Sequence, residues 1–195
     1  MTMRIKQEAA YSDLILNLIH QCRNAAGGLF VLLLLFTGCR KVEKPVTEEE
    51  YRRTREALVG ANRLLVKKDN EKIRAFVRRN NWNMQQTPSG LWYMVIREGN
   101  GRPARAGDMI TLAYRLELLD GTICYTSDSL GLKHFRIGQG GVESGLEEGV
   151  LLLKKGDSAR LILPPYLAHG LTGDGKRIPA RSILQYEIDI IDLEE

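Results

Sequence analysis

The sequence predicts an α+β protein: a twisted antiparallel sheet with one short helix, preceded by a charged helical arm and an export signal. Three observations carry this prediction. The second half of the 195-residue chain consists of short runs in which apolar and polar residues alternate, the period of a half-buried strand. One segment of that half, 142–154, instead spaces Leu146, Val150 and Leu153 at helical intervals. The stretch 47–84 has few turn residues, dense charge, and an apolar residue at every seventh position: Tyr51, Leu58 and Leu65. Composition agrees: 44% hydrophobic, 27% charged and 7% aromatic describe an ordinary globular chain and exclude wholesale disorder, collagen and a polytopic membrane protein. With 28 basic and 24 acidic residues, the charge is too balanced to announce a nucleic-acid binder.

In chain order, residues 1–38 come first. Their one long apolar run has its core at 29–36, too short for a membrane-spanning helix, which needs about 20 apolar residues. Basic Arg4, Lys6 and Arg23 lie upstream and a charged stretch from Arg40 follows, the layout of a secretory signal. Thr37-Gly38-Cys39 resembles a bacterial lipobox, in which the cysteine is lipidated and becomes the mature N-terminus. Phe36 in place of the usual Leu, and acidic Glu8 and Asp13 upstream, depart from that pattern. The expectation is a membrane-anchored lipoprotein of the bacterial cell envelope, held through Cys39, with 39–46 as linker. Cys124 is then the one thiol left, so no internal disulfide is expected.

The arm, 47–84, opens with Thr47 as helix N-cap and Glu50 three residues on, a capping box. Lys67-Lys68-Asp69-Asn70 reads as a break, with Asp69 capping a second helix that carries Ile73, Phe76 and Val77. Residues 40–82 hold 13 basic and 7 acidic residues, net +6; residues 83–195 hold 12 and 15, net −3. Two readings stay open: a solvated helix packed on its domain, or an arm for dimerisation or for holding clients. Nucleic acid as a partner conflicts with the export signal.

Residues 85–90 carry turn chemistry and mark a boundary; the domain occupies 90–195. Strands are expected at 91–97, 109–119, 133–137, 158–163 and 183–193. In the second of these Ile110, Leu112, Tyr114, Leu116 and Leu118 share one face. In the last, Leu184, Tyr186, Ile188 and Ile190 point inward against Gln185, Glu187 and Asp189. Other chemistries fail on inspection. Residues 170–177 nearly match a phosphate loop, but Arg177 stands where a magnesium-binding hydroxyl is required and Ile178-Pro179 replaces the helix. His134 and His169 are too far apart for a metal site, and no nucleophile elbow or paired-acid signature occurs. No cofactor and no metal are expected.

Leu91-Trp92-Tyr93, Gly99-Asn100-Gly101, Ala106-Gly107-Asp108, Tyr114, Leu119-Asp120-Gly121, Phe135-Arg136-Ile137-Gly138, the run VESGLEEG at 142–149, Lys155-Gly156-Asp157, Leu163-Pro164-Pro165, Leu167-Ala168-His169-Gly170 and Ile178-Pro179 fall in order. The series resembles an FKBP-type peptidyl-prolyl isomerase domain. The whole layout is similar to exported bacterial isomerase-chaperones of the Bacteroidetes type. The resemblance implies a five- or six-stranded antiparallel sheet wrapped over one helix, with an apolar substrate pocket between them that uses no acid, base or cofactor. It implies unfolded or proline-containing polypeptides as substrates, and an arm that forms a homodimer. Position by position, it places Tyr114 in the pocket lining, Phe135 as an aromatic wall, Val142 before the helix and Tyr186 on the last strand. Ile178 supplies the backbone N–H that binds substrate. Five positions depart: Cys124 replaces Phe, Tyr125 replaces Asp, Leu146 replaces the Trp floor, His169 replaces a Tyr, and Glu143 takes an apolar position. Tyr114, Ile178 and His169 are the expected catalytic residues. Phe135, Val142, Leu146, Tyr186, Cys124 and Tyr125 are the expected substrate contacts. Lost aromatic walls imply a shallower, wetter pocket with weaker activity, and leave a non-enzymatic binding module as the rival.

Overall fold

The computed structural model describes residues 47–195. The export signal, Cys39 and the linker to position 46 lie outside the described residues. Residues Arg52–Glu195 form one compact unit.

Helix α1 (Glu48–Arg79) starts at the expected cap: the Glu50 N–H donates to Thr47 Oγ1 at 3.2 Å. Glu48, Glu49 and Glu50 occupy its first turn and Arg78 and Arg79 its last, each the favoured charge for that end of the helix dipole. The expected break at 67–70 does not occur, and the helix runs unbroken for 32 residues. Asp69 caps nothing. It is buried, and its carboxylate meets the Arg181 guanidinium at 2.7 Å, so a partner 112 residues away takes the side chain that would otherwise compete for local backbone.

The C-terminal half of α1 is fastened to the domain. Ile73 and Val77, with Phe76 and Trp82 beside them, pack against Trp92, Ile162 and Ile183 on the back of the sheet. That cover explains why Gln185, expected to face water, is buried: it is the cross-strand partner of Ile162. Tyr51, Leu58, Val59 and Leu64 remain exposed.

The sheet has seven antiparallel strands, one or two more than the resemblance implies. They are β1 (Gln85–Gln86), β2 (Trp92–Arg97), β3 (Met109–Leu118), β4 (Ile123–Thr126), β5 (Lys133–Arg136), β6 (Ser158–Leu163) and β7 (Leu184–Glu194). Their order is β1-β2-β6-β7-β3-β4, and β5 pairs with the first half of β3. β1 occupies part of the segment expected as turn: Gln85 and Gln86 pair with Tyr93 and Trp92, and the tight turn is confined to 87–90, where the Gly90 N–H donates to Thr87 O at 3.0 Å. A single-turn helix α2 (Ser127–Leu130) follows β4.

Helix α3 (Ser144–Val150) crosses the concave face. It is shorter than the expected 142–154 because Leu152 and Leu153 donate to Gly149 O and Val150 O at 3.1 Å, tightening the chain so that Lys154 can bridge to Pro103. Leu146 and Val150 join Leu112, Leu161, Leu184 and Tyr186 in the main core. Glycines set how closely α3 approaches the sheet. A Cβ on Gly145 would lie 2.6 Å from Leu163 Cγ, and one on Gly149 2.5 Å from Leu161 Cδ1. A side chain there forces either these leucines or the helix to shift.

Candidate functional site

A cleft of about 280 Å³ opens on the concave face. β3 supplies Tyr114 and Leu116 to it, β4 Tyr125, α2 Leu130, β5 Lys133 and β7 Tyr186. Glu143, just ahead of α3, and His169, Asp174 and Lys176, from the loop between β6 and β7, complete the lining. The period-2 patterns of β3 and β7 put Tyr114 and Tyr186 on the same inward face, where their rings lie 6.3 Å apart at 48°.

One wall is organised around Glu143, whose side chain is only 7% exposed. The Tyr186 hydroxyl donates to its Oε1 at 2.8 Å and His169 Nε2 lies 3.0 Å from the same oxygen. A carboxylate only accepts, so the His169 proton is carried on Nε2. Glu143 Oε2 has no hydrogen-bond partner; the nearest cation is Lys133 Nζ, 3.8 Å away. Lys133 itself lies over the rings of Tyr114 and Tyr186, at 5.0 and 5.7 Å from their centroids, which offsets part of the cost of bringing a cation inward.

The opposite wall is organised around Asp174. Its Oδ1 accepts from the Lys176 and Ile178 N–H groups, each at 2.8 Å, and its Oδ2 from the Tyr125 hydroxyl. Burial pushes the Asp174 carboxyl up, but the Tyr125 hydroxyl and the two backbone donors outweigh it and hold the pKa at about 2. Tyr125 is pushed up by its hydrogen bond to Asp174. Burial, then the Glu143 charge, raises Tyr114 and carries Tyr186 far above the usual phenol range. All three phenols are therefore protonated donors. The loop whose glycines nearly match a phosphate motif thus wraps its backbone amides around the chain's own carboxylate.

Of the nine residues expected at the site, Tyr114, Tyr125, His169 and Tyr186 line the cleft. Ile178 stands at its edge, buried, with its N–H engaged by Asp174. Cys124 lies behind the wall at 1% exposure, its Sγ 3.7 Å from Arg177 O, and burial, then the Asp174 charge, pushes its thiol pKa up. Phe135 and Leu146 are core residues, and Val142 packs on the core from its edge; none of the three is in the lining. Lys133, Asp174 and Lys176 belong to the cleft although sequence reasoning gave them no part in it. The cleft is lined by three phenols, two leucines, a histidine, two acids and two lysines, so charged groups stand among the apolar surface, in line with the wetter pocket expected from the lost aromatic walls. A lysine at the head of a short strand reads as surface, and only the aromatic rings facing it reveal otherwise.

The family model of the FKBP-type peptidyl-prolyl cis-trans isomerases matches residues 100–191. FK506-binding protein 1 of Dictyostelium discoideum is 31% identical over 103 residues, which cover 52% of this chain and 96% of that protein. This chain belongs to the FKBP-type peptidyl-prolyl cis-trans isomerase family. The crystal structure of AtFKBP13 shares its fold, with a TM-score of 0.55 and 31% identity over 56% of this chain and 98% of that one. A probable FKBP-type isomerase FkpA of Neisseria meningitidis serogroup B is 32% identical over 130 residues, 65% of this chain and 47% of that protein. The chain spans about half the length of such relatives; for the macrophage infectivity potentiator of Trypanosoma cruzi the share is 55%. The FKBP match falls on the segment that builds the cleft, from the turn before β3 into β7.

Proposed function

We propose that the chain is a peptidyl-prolyl cis-trans isomerase that assists the folding of exported proteins. In this reading it binds Xaa-Pro segments in the cleft between Tyr114, His169 and Tyr186. The observation that supports it is that aromatic cleft, in a chain of this family. Rotation about a prolyl bond faces a barrier of about 18–20 kcal/mol set by amide resonance, and uncatalysed exchange takes tens to hundreds of seconds. Resonance is absent in the orthogonal geometry, so a site that holds the twisted amide better than the planar one accelerates exchange without acid, base or cofactor. The Tyr114 ring, backed by the buried Tyr186, gives the amide an apolar face once Lys133 moves off it. The Tyr114 hydroxyl, which has no hydrogen-bond partner among the described residues, donates to the substrate carbonyl. Ile178 contributes its side chain to the wall; its N–H reaches a substrate only after Asp174 lets go.

The proposal extends to the rest of the chain. Cys39 carries a lipid that holds the protein to a membrane of the bacterial envelope, and the exposed stripe of Tyr51 and Leu58 on α1 pairs with a second copy. A second reading, a binding module without catalysis, is favoured by one observation: the Ile178 N–H is already committed to Asp174.

The experiment is prolyl exchange by NMR on short Xaa-Pro peptides, using the chain with Cys39→Ser. Acceleration that disappears in a folded Tyr114→Ala variant supports the isomerase. No acceleration across several residues preceding proline, from a folded protein, supports the binding module.

A further inference from the structure

Helix α1 carries its charge unevenly. Between 52 and 79 it holds ten lysines and arginines against three acids. One of the three, Asp69, is consumed by Arg181. All ten cations are exposed. Arg63, Lys67, Arg74 and Arg78 make no ion pair among the described residues. At 100° per residue these four fall within about 60° of one another on the helix surface and extend along about 22 Å of it. No acid falls inside that sector between them. Arg52 continues the line toward the N-terminus, with exposed Glu56 in the same sector 4.0 Å from it. The apolar stripe of Tyr51, Leu58 and Leu65 lies on the roughly opposite side, so covering it leaves the basic face open. The rest of the described chain has the other sign: 83–195 is net −3.

We propose that this face of α1 lies along an anionic bilayer, with acidic phospholipid headgroups as its partner. The shape of the charge favours a surface over a compact ligand. Arg63, Lys67 and Arg74 border one open hollow with Glu71 and Gln86, but the four cations are spread along some 15 residues of a continuous helix, and a plane of dispersed negative charge meets such a line along its whole length. The same surface repels the acidic domain, so the helix lies down while the domain, with its cleft, is held toward solvent. Membrane proximity rests on the export and anchoring reading above, but the contact itself needs no lipid on Cys39.

The test uses the full chain carrying Cys39→Ser, so that no anchor contributes. Binding is read by co-sedimentation with phosphatidylcholine vesicles, with and without phosphatidylglycerol. The expected result is binding to the anionic vesicles alone, weakening as salt rises. Each basic residue near an anionic surface is worth roughly fivefold in partitioning. Arg63→Gln, Lys67→Gln, Arg74→Gln and Arg78→Gln together are therefore expected to weaken binding by nearly three orders of magnitude, about 600-fold, with the helix content by circular dichroism unchanged. A second variant removes the same charge elsewhere, at Arg55, Lys68, Lys72 and Arg79, and is expected to lose far less. Equal loss in both variants, equal binding to neutral vesicles, or no binding at low salt each overturns the proposal. So does tighter binding of heparin than of the vesicles at one ionic strength. Lipid labelling of the parent chain reports separately on Cys39, so failure of the anchor and failure of the basic face are distinguishable.

Discussion

Asp174 shows how one side chain can organise a wall. Three donors from two segments converge on its carboxylate, and its pKa of about 2 lies below the unperturbed 3.8. The folded state therefore favours the ionised form. The stabilisation is complete above about pH 4 and is lost as pH falls through 2. The expected outcome is a fall in urea midpoint between pH 4 and pH 2 that is smaller in Asp174→Asn. An identical pH profile in that variant would show the carboxylate to be uncoupled from folding. This was not legible in the sequence. Asp174 stands in a glycine-rich loop that reads as solvent-exposed turn, and its partners Tyr125 and Ile178 lie 49 and 4 residues away. Tyr114 and Tyr186 were legible, because alternation in a strand fixes which face a residue takes.

Among the elements, α1 and α3 give glycine opposite meanings. Gly60 lies in the exposed half of α1 with nothing within 4 Å of its missing Cβ. Gly60→Ala is expected to raise helix content, following the helix preference for Ala of roughly 1 kcal/mol. Gly149→Ala carries the same intrinsic preference but drives a methyl into Leu161, and overpacking of this kind costs about 1–3 kcal/mol. It is expected to destabilise the domain in chemical denaturation, and a neutral result would mean that Leu161 or α3 shifts without cost. Strands β3 and β7 could be read from their period because each buries one face. β1 and β4 could not: two and four residues carry no period, and they are strands because β2 and β3 offer them edges. The continuity of α1 across 67–70 was hidden for a related reason, since the partner that relieves Asp69 of a capping role is Arg181, near the other end of the chain.

For the whole molecule, the division of α1 into a buried and an exposed half is the main fact. Its second half completes the back of the sheet through Ile73 and Val77, while Tyr51 at 61% and Leu58 at 66% exposure leave an apolar stripe of its first half at the surface. Self-association through this half is expected. Sedimentation equilibrium of the Cys39→Ser chain should give a mass above one chain, and Tyr51→Glu with Leu58→Glu should return it to one. A monomeric parent would remove the homodimer. The general architecture was visible in the sequence because it follows from period and charge density. A wetter cleft was expected from the lost aromatic walls and from Glu143, but the partners that hold its charges inward were not, because Glu143 is fixed by Tyr186 and His169, 43 and 26 residues away.

The two tryptophans, Trp82 and Trp92, both belong to the cluster under α1, with the Arg160 guanidinium 4.1 Å from the Trp82 ring. Neither lines the cleft. Tryptophan emission is therefore expected to follow whether the helix is seated on the sheet. Emission is expected to change little when a peptide enters the cleft and to change if α1 lifts away, so a titration followed by intrinsic fluorescence reads the packing of the arm and leaves occupancy of the site to other probes.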